Sequence, residues 1–307
     1  MKTAFLYAGQ GSQKAKMGKD FYDEFPDVRE IFDYQPLGLD LRSLCFDSEL
    51  AELSKTENTQ PSMGAFAAAV TKLLYSEGIK PRYAMGLSLG EYGALYAAGV
   101  FDERVLLDLL AFRGQAMSEA SDGVDFKMSA VFSDDVSLVE RGVSEAGGDV
   151  WCCNYNCPGQ TVIGGERSAV DAAEAKCLEL GAKRCIALNV GGPFHTPYMK
   201  PASDKLAEFT RTLDFKPLNF PVVFNVTGNT LSGGETVSGM LAKQIMSPVR
   251  FEAGLRELTK LGVDTFVEIG PGKVLSGFVK KTAPSATVMN IDTTDDYRKV
   301  TAVLKGG

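Results

Sequence analysis

The sequence predicts an α/β protein in which a mostly parallel sheet, covered by helices on both faces, is interrupted by a smaller βαββαβ unit. In the outer parts of the 307-residue chain, short apolar runs typical of buried strands alternate with amphipathic helical segments. Between residues 126 and 191 the order changes to strand, helix, strand, strand, helix, strand, which is the ferredoxin-like unit. The composition, 45% hydrophobic and 23% charged, supplies enough apolar material for such a core.

The outer elements follow from apolar runs bounded by glycine and proline. Strands are predicted in TAFLYAG (3–9), PRYAMGLS (81–88), FPVVFNVTG (220–228) and DTFVEIGPGK (264–273). Helices are predicted at 27–32, 50–56, 60–78, 90–99, 102–120, 201–213 and 249–262. Gly78 is expected to close the long third helix, because glycine accepts the left-handed conformation after a helix end.

The inner segment, residues 126–191, has a different order of strands and helices. Strands are predicted at 127–133, 150–156, 160–166 and 182–190, and helices at 135–148 and 167–181. The middle two strands are joined by Cys157-Pro158-Gly159, a turn sequence. We therefore expect residues 126–191 to form a subdomain inserted between the two parts, 1–125 and 192–307, of a larger domain.

Composition and charge exclude several classes of function. A net charge of −7 and an isoelectric point of about 5.0 argue against general nucleic-acid binding, which needs a basic surface. No apolar run reaches the roughly 18 residues that cross a bilayer, and the apolar run at the start is too short for a signal peptide. A cytoplasmic protein is expected. With six cysteines but one histidine and no second C-x-x-C pair, free thiols are expected and no metal site.

The sequence GLSLG places Ser88 between Gly86 and Gly90, where a strand meets a helix. This is the setting of the nucleophile elbow, in which a sharp turn exposes a reactive serine. A serine hydroxyl needs a base to take its proton, and His195 is the only histidine in the chain. The alternatives are a glycine-rich packing turn and a histidine satisfied by local hydrogen bonds.

Glycine-rich phosphate loops are disfavoured. AGQGSQK follows a strand, but Lys14 stands where G-x-G-x-x-G requires glycine. A Walker A loop would need glycine and Ser or Thr at the positions of Gln13 and Asp20. Nucleotide binding through these loops is therefore not expected.

Seven stretches together resemble the malonyl-CoA:acyl-carrier-protein transacylases of fatty-acid synthesis, in order and in spacing. They are GQGSQ (9–13), GLSLGEY (86–92), FRGQAM (112–117), NYNCPGQTVIGG (154–165), GPFHTPYM (192–199), QIMSPVRF (244–251) and EIGPGKVLSG (268–277). The resemblance implies an α/β-hydrolase-like domain interrupted by a ferredoxin-like subdomain. It also implies an acyltransferase that needs no cofactor besides its coenzyme A thioester substrate.

The resemblance implies roles for five residues in acyl transfer. Ser88 resembles the nucleophile that carries the malonyl group, and His195 the general base and acid. Gln244 resembles the residue whose backbone carbonyl orients the imidazole. Gln10 and Leu89 resemble the residues whose backbone N–H groups form the oxyanion hole, which stabilises the developing negative oxygen.

Four further residues are implied in substrate binding. Arg113 resembles the arginine that holds the malonyl carboxylate in a bidentate pair. Without the resemblance, it would be interpreted as a surface arginine near a helix end. Leu87, Phe194 and Met117 are expected to line the acyl pocket. Leu87 stands where the family usually has histidine, so the shape of the pocket at that point is the least determined feature.

The expected function is therefore malonyl transfer from malonyl-CoA to the phosphopantetheine thiol of acyl carrier protein, by a monomer with no nucleic-acid or membrane partner. Three alternatives stay open: an acyl hydrolase or editing enzyme, a transacylase of a polyketide system, and a carrier-binding scaffold without chemistry. Since carrier proteins are acidic and this chain is acidic too, docking requires a local basic surface. Candidate cations are Lys183, Arg184, Lys280 and Lys281.

Overall fold

The computed structural model describes residues 1–306, which form nine strands and fourteen α-helices. The strands are β1 Thr3–Tyr7, β2 Tyr83–Gly86, β3 Phe126–Phe132, β4 Val150–Cys157, β5 Gln160–Glu166, β6 Arg184–Ala187, β7 Val222–Val223, β8 Thr265–Ile269 and β9 Thr287–Ile291. The helices are α1 Lys19–Glu24, α2 Arg29–Asp33, α3 Leu41–Phe46, α4 Leu50–Leu53, α5 Thr56–Ser76, α6 Gly90–Ala97, α7 Glu103–Ser121, α8 Val136–Ala146, α9 Arg167–Glu179, α10 Lys200–Thr210, α11 Val237–Gln244, α12 Phe251–Lys260, α13 Val274–Thr282 and α14 Thr294–Gly306. None of these helices is long and apolar enough to span a bilayer.

A five-stranded parallel sheet forms the centre of the molecule, in the order β7-β2-β1-β8-β9. Every residue of β1 and of β8 is buried, as expected for parallel strands covered on both faces. The longest helix, α5, packs against α7 and α6 beside this sheet. The prediction of a mixed α/β protein with a parallel sheet is confirmed.

A separate four-stranded antiparallel sheet has the order β4-β5-β3-β6. Its strands and the helices α8 and α9 follow one another in the predicted order. One face packs on α8 and α9 through an apolar cluster that includes Val131, Ile163 and Val170. The other face contributes Met128 and Val162 to the main core. The same face also forms a wall of the cleft described below.

The two sheets are tied together where β4 runs beside the segment before α12. The Tyr155 N–H donates to the Val249 carbonyl at 2.8 Å, and the Val249 N–H donates to the Cys153 carbonyl at 2.8 Å. Cys157, at the end of β4, also belongs to the apolar cluster beneath β1 and β8. All six cysteines are free thiols, as predicted.

Several predicted elements differ in length, and the last third of the chain contains elements that were not predicted. The apolar run at 220–228 forms only two paired residues, since Phe224 pairs back with Asn229 in a tight turn. The strand predicted at 182–190 is limited to β6. Helices α11, α13 and α14 and strand β9 were missed there, and the short helices α1 and α3 were missed near the start of the chain. β9 lies at the sheet edge and is mostly half-buried, so it lacks the continuous apolar run of a central strand.

The carboxyl ends of neighbouring parallel strands bring distant residues to one edge of the sheet. Gln10 follows β1, Ser88 follows β2 and Asn225 follows β7, and these three strands are adjacent. At the same edge, the buried Glu268 carboxylate accepts the N–H groups of Leu275 and Ser276, at 3.0 and 2.8 Å. Glu268 thereby fixes the start of α13, because a carboxylate satisfies the free N–H groups of a helix N-terminus.

Two glycines permit the close crossing at the end of β2. A Cβ atom on Gly90 would lie 2.1 Å from the Tyr7 carbonyl oxygen, and one on Gly86 would lie 1.9 Å from the Gly90 carbonyl carbon. Both clashes are with backbone, which cannot move without displacing β1 or α6. Only glycine fits at either position.

We predict that Gly90→Ala destabilises the fold by about 3 kcal/mol or more, because the added methyl overpacks against backbone. Gly277→Ala is the matched control. Its Cβ would meet no atom within 4 Å in the helix α13, so it should be neutral or stabilising by up to about 1 kcal/mol. Chemical denaturation of both variants measures the difference. Equal stabilities would show that the crossing is not tight.

Candidate active site

Ser88 occupies a strained turn between β2 and α6. Its φ is 53°, in the left-handed region that side chains other than glycine rarely adopt. Its N–H donates to Asn225 Oδ1 at 2.7 Å, and its carbonyl accepts from Gln244 Nε2 at 2.9 Å. The backbone is thus held from both sides, and the side-chain hydroxyl projects into a cleft.

His195 is also held in the left-handed region, with a φ of 62°. Its Nε2 lies 2.8 Å from Ser88 Oγ, and its Nδ1 lies 2.8 Å from the Gln244 carbonyl oxygen. A carbonyl can only accept, so Nδ1 carries the hydrogen and Nε2 is free to accept the serine proton. The imidazole is therefore in the tautomer that a general base requires.

The environment of His195 keeps the ring neutral. Burial and, secondarily, the nearby Arg113 charge lower the pKa of His195 to about 4. Burial disfavours the imidazolium ion, and a neighbouring cation disfavours it further. The ring is consequently a base over the whole neutral range of pH.

Leu89 follows Ser88 in the chain, and Gln10, which follows β1, lines the same cleft as Ser88. Within residues 1–306, neither backbone N–H group has a hydrogen-bond acceptor. The Gln10 side chain is bound to the start of α5, since its Nε2 donates to Thr56 Oγ1 at 3.2 Å. Two unpaired N–H groups next to a nucleophile are the donors that an oxyanion requires.

Arg113 lies in the middle of α7 and is 1% exposed, so the alternative of a surface arginine is wrong. One terminal nitrogen donates to Gln60 Oε1 at 2.7 Å. The other donates to Gln244 Oε1 at 3.0 Å and to Ser88 Oγ at 3.2 Å. The guanidinium carbon lies 5.3 Å from the centre of the Tyr92 ring. Neutral amides, a hydroxyl and an aromatic ring surround the charge.

Arg113 has no anionic partner. No ion pair among residues 1–306 includes it, and its Nε has no acceptor. Glu91 is buried nearby, but burial raises the pKa of its carboxyl to about 8, so it is largely protonated at neutral pH. An unpaired buried charge is unfavourable by several kcal/mol, on the order that desolvation costs. The cleft therefore offers an uncompensated cation to an anionic group.

A cavity of about 250 Å³ opens between the two sheets in front of Ser88. Among its walls are the predicted site residues Gln10, Leu87, Ser88, Arg113, Met117, Phe194 and His195. Leu89 and Gln244 stand behind this layer and are 2% and 0% exposed. The antiparallel sheet adds a polar side of the cavity through Asn154, Asn156 and Gln160.

Sequence reasoning missed four buried polar residues that support the site: Gln60, Glu91, Tyr92 and Asn225. Glu91 and Tyr92 stand inside the quoted GLSLGEY stretch, so their types were visible but their partners were not. Asn225 follows an apolar run, where a polar residue at a strand end is the one available signal. Across residues 1–306, no three His, Cys, Asp or Glu side chains gather as metal ligands would.

The chain is similar to known proteins over nearly its whole length. The family model described as "Acyl transferase domain" matches residues 4–301. A protein of Bacillus subtilis named malonyl CoA-acyl carrier protein transacylase is 41% identical over 285 residues, which cover 91% of this chain and 90% of that protein.

Two solved structures are similar over nearly the whole chain. The MCAT of Streptococcus pneumoniae has a TM-score of 0.93 and 42% identity, and the match covers 100% of both chains. A malonyl-transacylase in complex with a type II PKS acyl-carrier protein has a TM-score of 0.94 and 35% identity, and the match covers 99% of this chain and 100% of that one.

The buried imidazole predicts an unusual pH profile. The rate at which an acyl donor modifies Ser88 should stay level from about pH 7, below the Glu91 pKa of about 8, to about pH 5.5 and fall to half near the His195 pKa of about 4. Rapid-quench mass spectrometry at each pH measures the rate. A midpoint near 6.5, the ordinary value for histidine, would contradict the assignment.

Stability must be followed in the same experiment. The pKa of His195 is lowered in the folded state, so the unfolded chain takes up a proton first as the pH falls, and stability declines between about 6.5 and about 4. Circular dichroism at each pH separates this loss of folded protein from loss of the base.

Proposed function

The chain belongs to the acyl transferase family, among its malonyl CoA-acyl carrier protein transacylases, and on this premise we propose that it moves malonyl from malonyl-CoA to the phosphopantetheine thiol of an acyl carrier protein. It is an acyltransferase. We propose that the transfer is ping-pong and passes through a malonyl ester of Ser88, so that CoA leaves before the carrier binds.

In the first half-reaction, Ser88 Oγ attacks the thioester carbonyl carbon while its proton passes to His195 Nε2, 2.8 Å away. The carbonyl oxygen becomes negative and accepts hydrogen bonds from the Gln10 and Leu89 N–H groups. Collapse of this intermediate breaks the C–S bond, and His195 returns the proton to the departing CoA sulfur. Free CoA and the malonyl-Ser88 ester result.

In the second half-reaction, His195 takes the proton of the carrier's phosphopantetheine thiol. The thiolate attacks the ester carbonyl of malonyl-Ser88, and the same two N–H groups stabilise the oxyanion. The C–O bond then breaks, and the proton returns to Ser88 Oγ. The Gln244 carbonyl, 2.8 Å from Nδ1, keeps the ring oriented through both halves and stabilises its transient positive charge.

The unpaired Arg113 is the observation that carries the substrate assignment. Malonyl differs from acetyl by one carboxylate, and that group can supply the anion that the buried guanidinium lacks. A hydrolase of uncharged acyl groups would have no use for such a cation, so Arg113 disfavours the hydrolase alternative. We propose fatty-acid synthesis as the pathway that uses the product.

We also propose a division of the fold into two parts, based on the strands of the antiparallel sheet. The antiparallel sheet draws its strands only from residues 126–187, and its strand order is that of a ferredoxin-like unit. We propose residues 126–191 as the ferredoxin-like subdomain and residues 1–125 and 192–307 as the α/β-hydrolase-like domain.

A surface with more cations than anions lies beside the cleft and suits an acidic carrier. Lys183, Arg184 and Lys281 line one cavity with the turn at Pro158 and Gly159, and the carboxylate in that cavity, Asp134, pairs with Lys183 at 2.6 Å. This cavity adjoins the active-site cleft on two sides. Gly159 is followed by Gln160, which lines the cleft, and Lys281 lies about one helical turn beyond Phe278, which also lines it. The fourth candidate, Lys280, borders a different groove beside β9.

Removal of the nucleophile tests the reaction class. Ser88→Ala should form no adduct with malonyl-CoA and should lose about a thousandfold or more in turnover, with its fold intact. Intact-mass spectrometry detects the malonyl ester, and added carrier protein should remove it from wild type. Ser144→Ala, on the exposed face of α8, is the control. Acylation of the Ser88→Ala protein would refute the mechanism.

Removal of the cation tests the substrate. Arg113→Ala should shift the ratio of kcat/KM for malonyl-CoA over acetyl-CoA toward acetyl by about 10- to 100-fold, the worth of one or two charge-assisted hydrogen bonds. Arg104→Ala removes an exposed arginine from the same helix and should leave the ratio unchanged. A ratio that stays constant in Arg113→Ala would reject the carboxylate site.

Charge reversal tests the carrier surface. The double variant Lys183→Glu/Lys281→Glu should raise the KM for carrier protein by about tenfold and leave malonyl-CoA kinetics unchanged, because steering by opposite charge is lost. The effect should shrink at high salt. Lys216→Glu changes an exposed lysine that lines neither cavity. Equal carrier KM values for the double variant and wild type would exclude this surface.

A further inference from the structure

We propose that Asn225 is a positioning residue for the nucleophile: its side-chain amide joins the two ends of the strained turn and holds Ser88 in reach of His195. The inference rests on the proposed function, in which Ser88 is the nucleophile that forms the malonyl ester. Asn225 itself does not contact the reacting atoms in this arrangement; it acts through the serine backbone.

The amide contacts the turn on both sides of Ser88. Asn225 Oδ1 accepts the Ser88 N–H at 2.7 Å, and Asn225 Nδ2 donates to the Gly86 carbonyl at 2.7 Å. One planar group thus uses its acceptor and a donor on residues two apart in the chain. Asn225 is 0% exposed, so no solvent competes for these bonds. No other side chain among residues 1–306 hydrogen-bonds to both of these residues.

The turn needs such a restraint because its backbone is unfavourable by itself. A left-handed φ on a residue with a Cβ costs roughly 1 kcal/mol or more, and it persists only where the surroundings impose it. Relaxation of Ser88 toward ordinary φ would swing Oγ away from the His195 ring. The distance most sensitive to that change is the 2.8 Å from Oγ to Nε2.

A buried carboxyl fixes Asn225 from behind. Glu91 Oε2 accepts the Asn225 backbone N–H at 2.5 Å, and Glu91 is 0% exposed. Glu91 stands three residues after Ser88, in the first turn of α6. Glu91, in the helix that follows the nucleophile, therefore holds Asn225, and Asn225 in turn holds Ser88.

The test substitutes one atom. Asn225→Asp keeps an acceptor for the Ser88 N–H but, once ionised, cannot donate to the Gly86 carbonyl. Single-turnover acylation by malonyl-CoA, followed by rapid-quench mass spectrometry, gives the acylation rate constant and the half-saturating concentration separately. At pH 8 we expect the rate constant to fall by about 10- to 100-fold, as loss of one buried hydrogen bond predicts. The half-saturating concentration should stay within about twofold, since Arg113 is intact.

An uncharged variant distinguishes loss of positioning from the effect of a new charge. Asn225→Ser removes the bond to the Gly86 carbonyl without placing a carboxylate beside Glu91, so it should show the same fall in rate constant with an unchanged half-saturating concentration. The control is Asn290→Asp, whose amide donates to the Glu268 and Gly270 carbonyls at the end of β8 and contacts neither Ser88 nor His195.

The outcomes separate two failures. If wild type forms no malonyl-Ser88 ester, the proposed function fails and this inference with it. If wild type reacts and Asn225→Asp acylates within about threefold of it at pH 8, the positioning role alone is wrong. An equal loss in Asn290→Asp, or a loss in Asn225→Asp that is absent from Asn225→Ser, also overturns it. Should Asn225→Asp not fold, Asn225→Ser removes the bridge without adding charge and must show the same separation of rate constant from saturation.

Discussion

The left-handed backbone of Ser88 is the constraint on which the rest of the site depends. It exists because β2 and α6 meet in a turn so tight that Gly86 and Gly90 can carry no side chain. The turn lifts Oγ toward His195 and leaves the Leu89 N–H without a hydrogen-bond acceptor. The proposed nucleophile and one proposed oxyanion donor therefore depend on the same backbone geometry, and the neighbouring strands β1 and β7 lead into Gln10 and Asn225 beside it.

Electrostatics adds a second layer to this geometry. The site contains a buried cation close to a neutral imidazole, and the two are linked, because burial first and the Arg113 charge second lower the pKa of His195. The surrounding amides of Gln60 and Gln244 orient the guanidinium without cancelling its charge. A folded protein would gain stability by giving that arginine a carboxylate of its own. The absence of such a partner supports the proposal that the charge serves a bound anionic group.

Local patterns predicted much of the fold. The G-x-S-x-G turn, the single histidine and the alternation of strands and helices are visible in any short window of the sequence. Other features depend on contacts between distant segments. Arg113 stands at helical spacing from the buried Leu106, Leu110 and Met117, so the pattern puts its position on the inward face of α7. The residue type, which is rarely buried without an ionic partner, favoured the surface instead. Asn225 was missed because it acts through hydrogen bonds to two backbone groups, those of Ser88 and Gly86, which lie about 137 residues away in the chain. Strand β9 was missed because an edge strand lacks a fully apolar sequence.

The long separation of the site residues also determines when the site can exist during folding. The contacts of Ser88 with His195, Asn225 and Gln244 span 107, 137 and 156 residues. The antiparallel sheet, by contrast, is built from neighbouring segments and lies inside each of those loops. Closing long loops is entropically slow, whereas local hairpins close early. We therefore expect the contacts of Ser88 with Asn225 and Gln244 to form after the antiparallel sheet, and a nascent chain without residues 222–250 lacks both side chains that hold the Ser88 backbone.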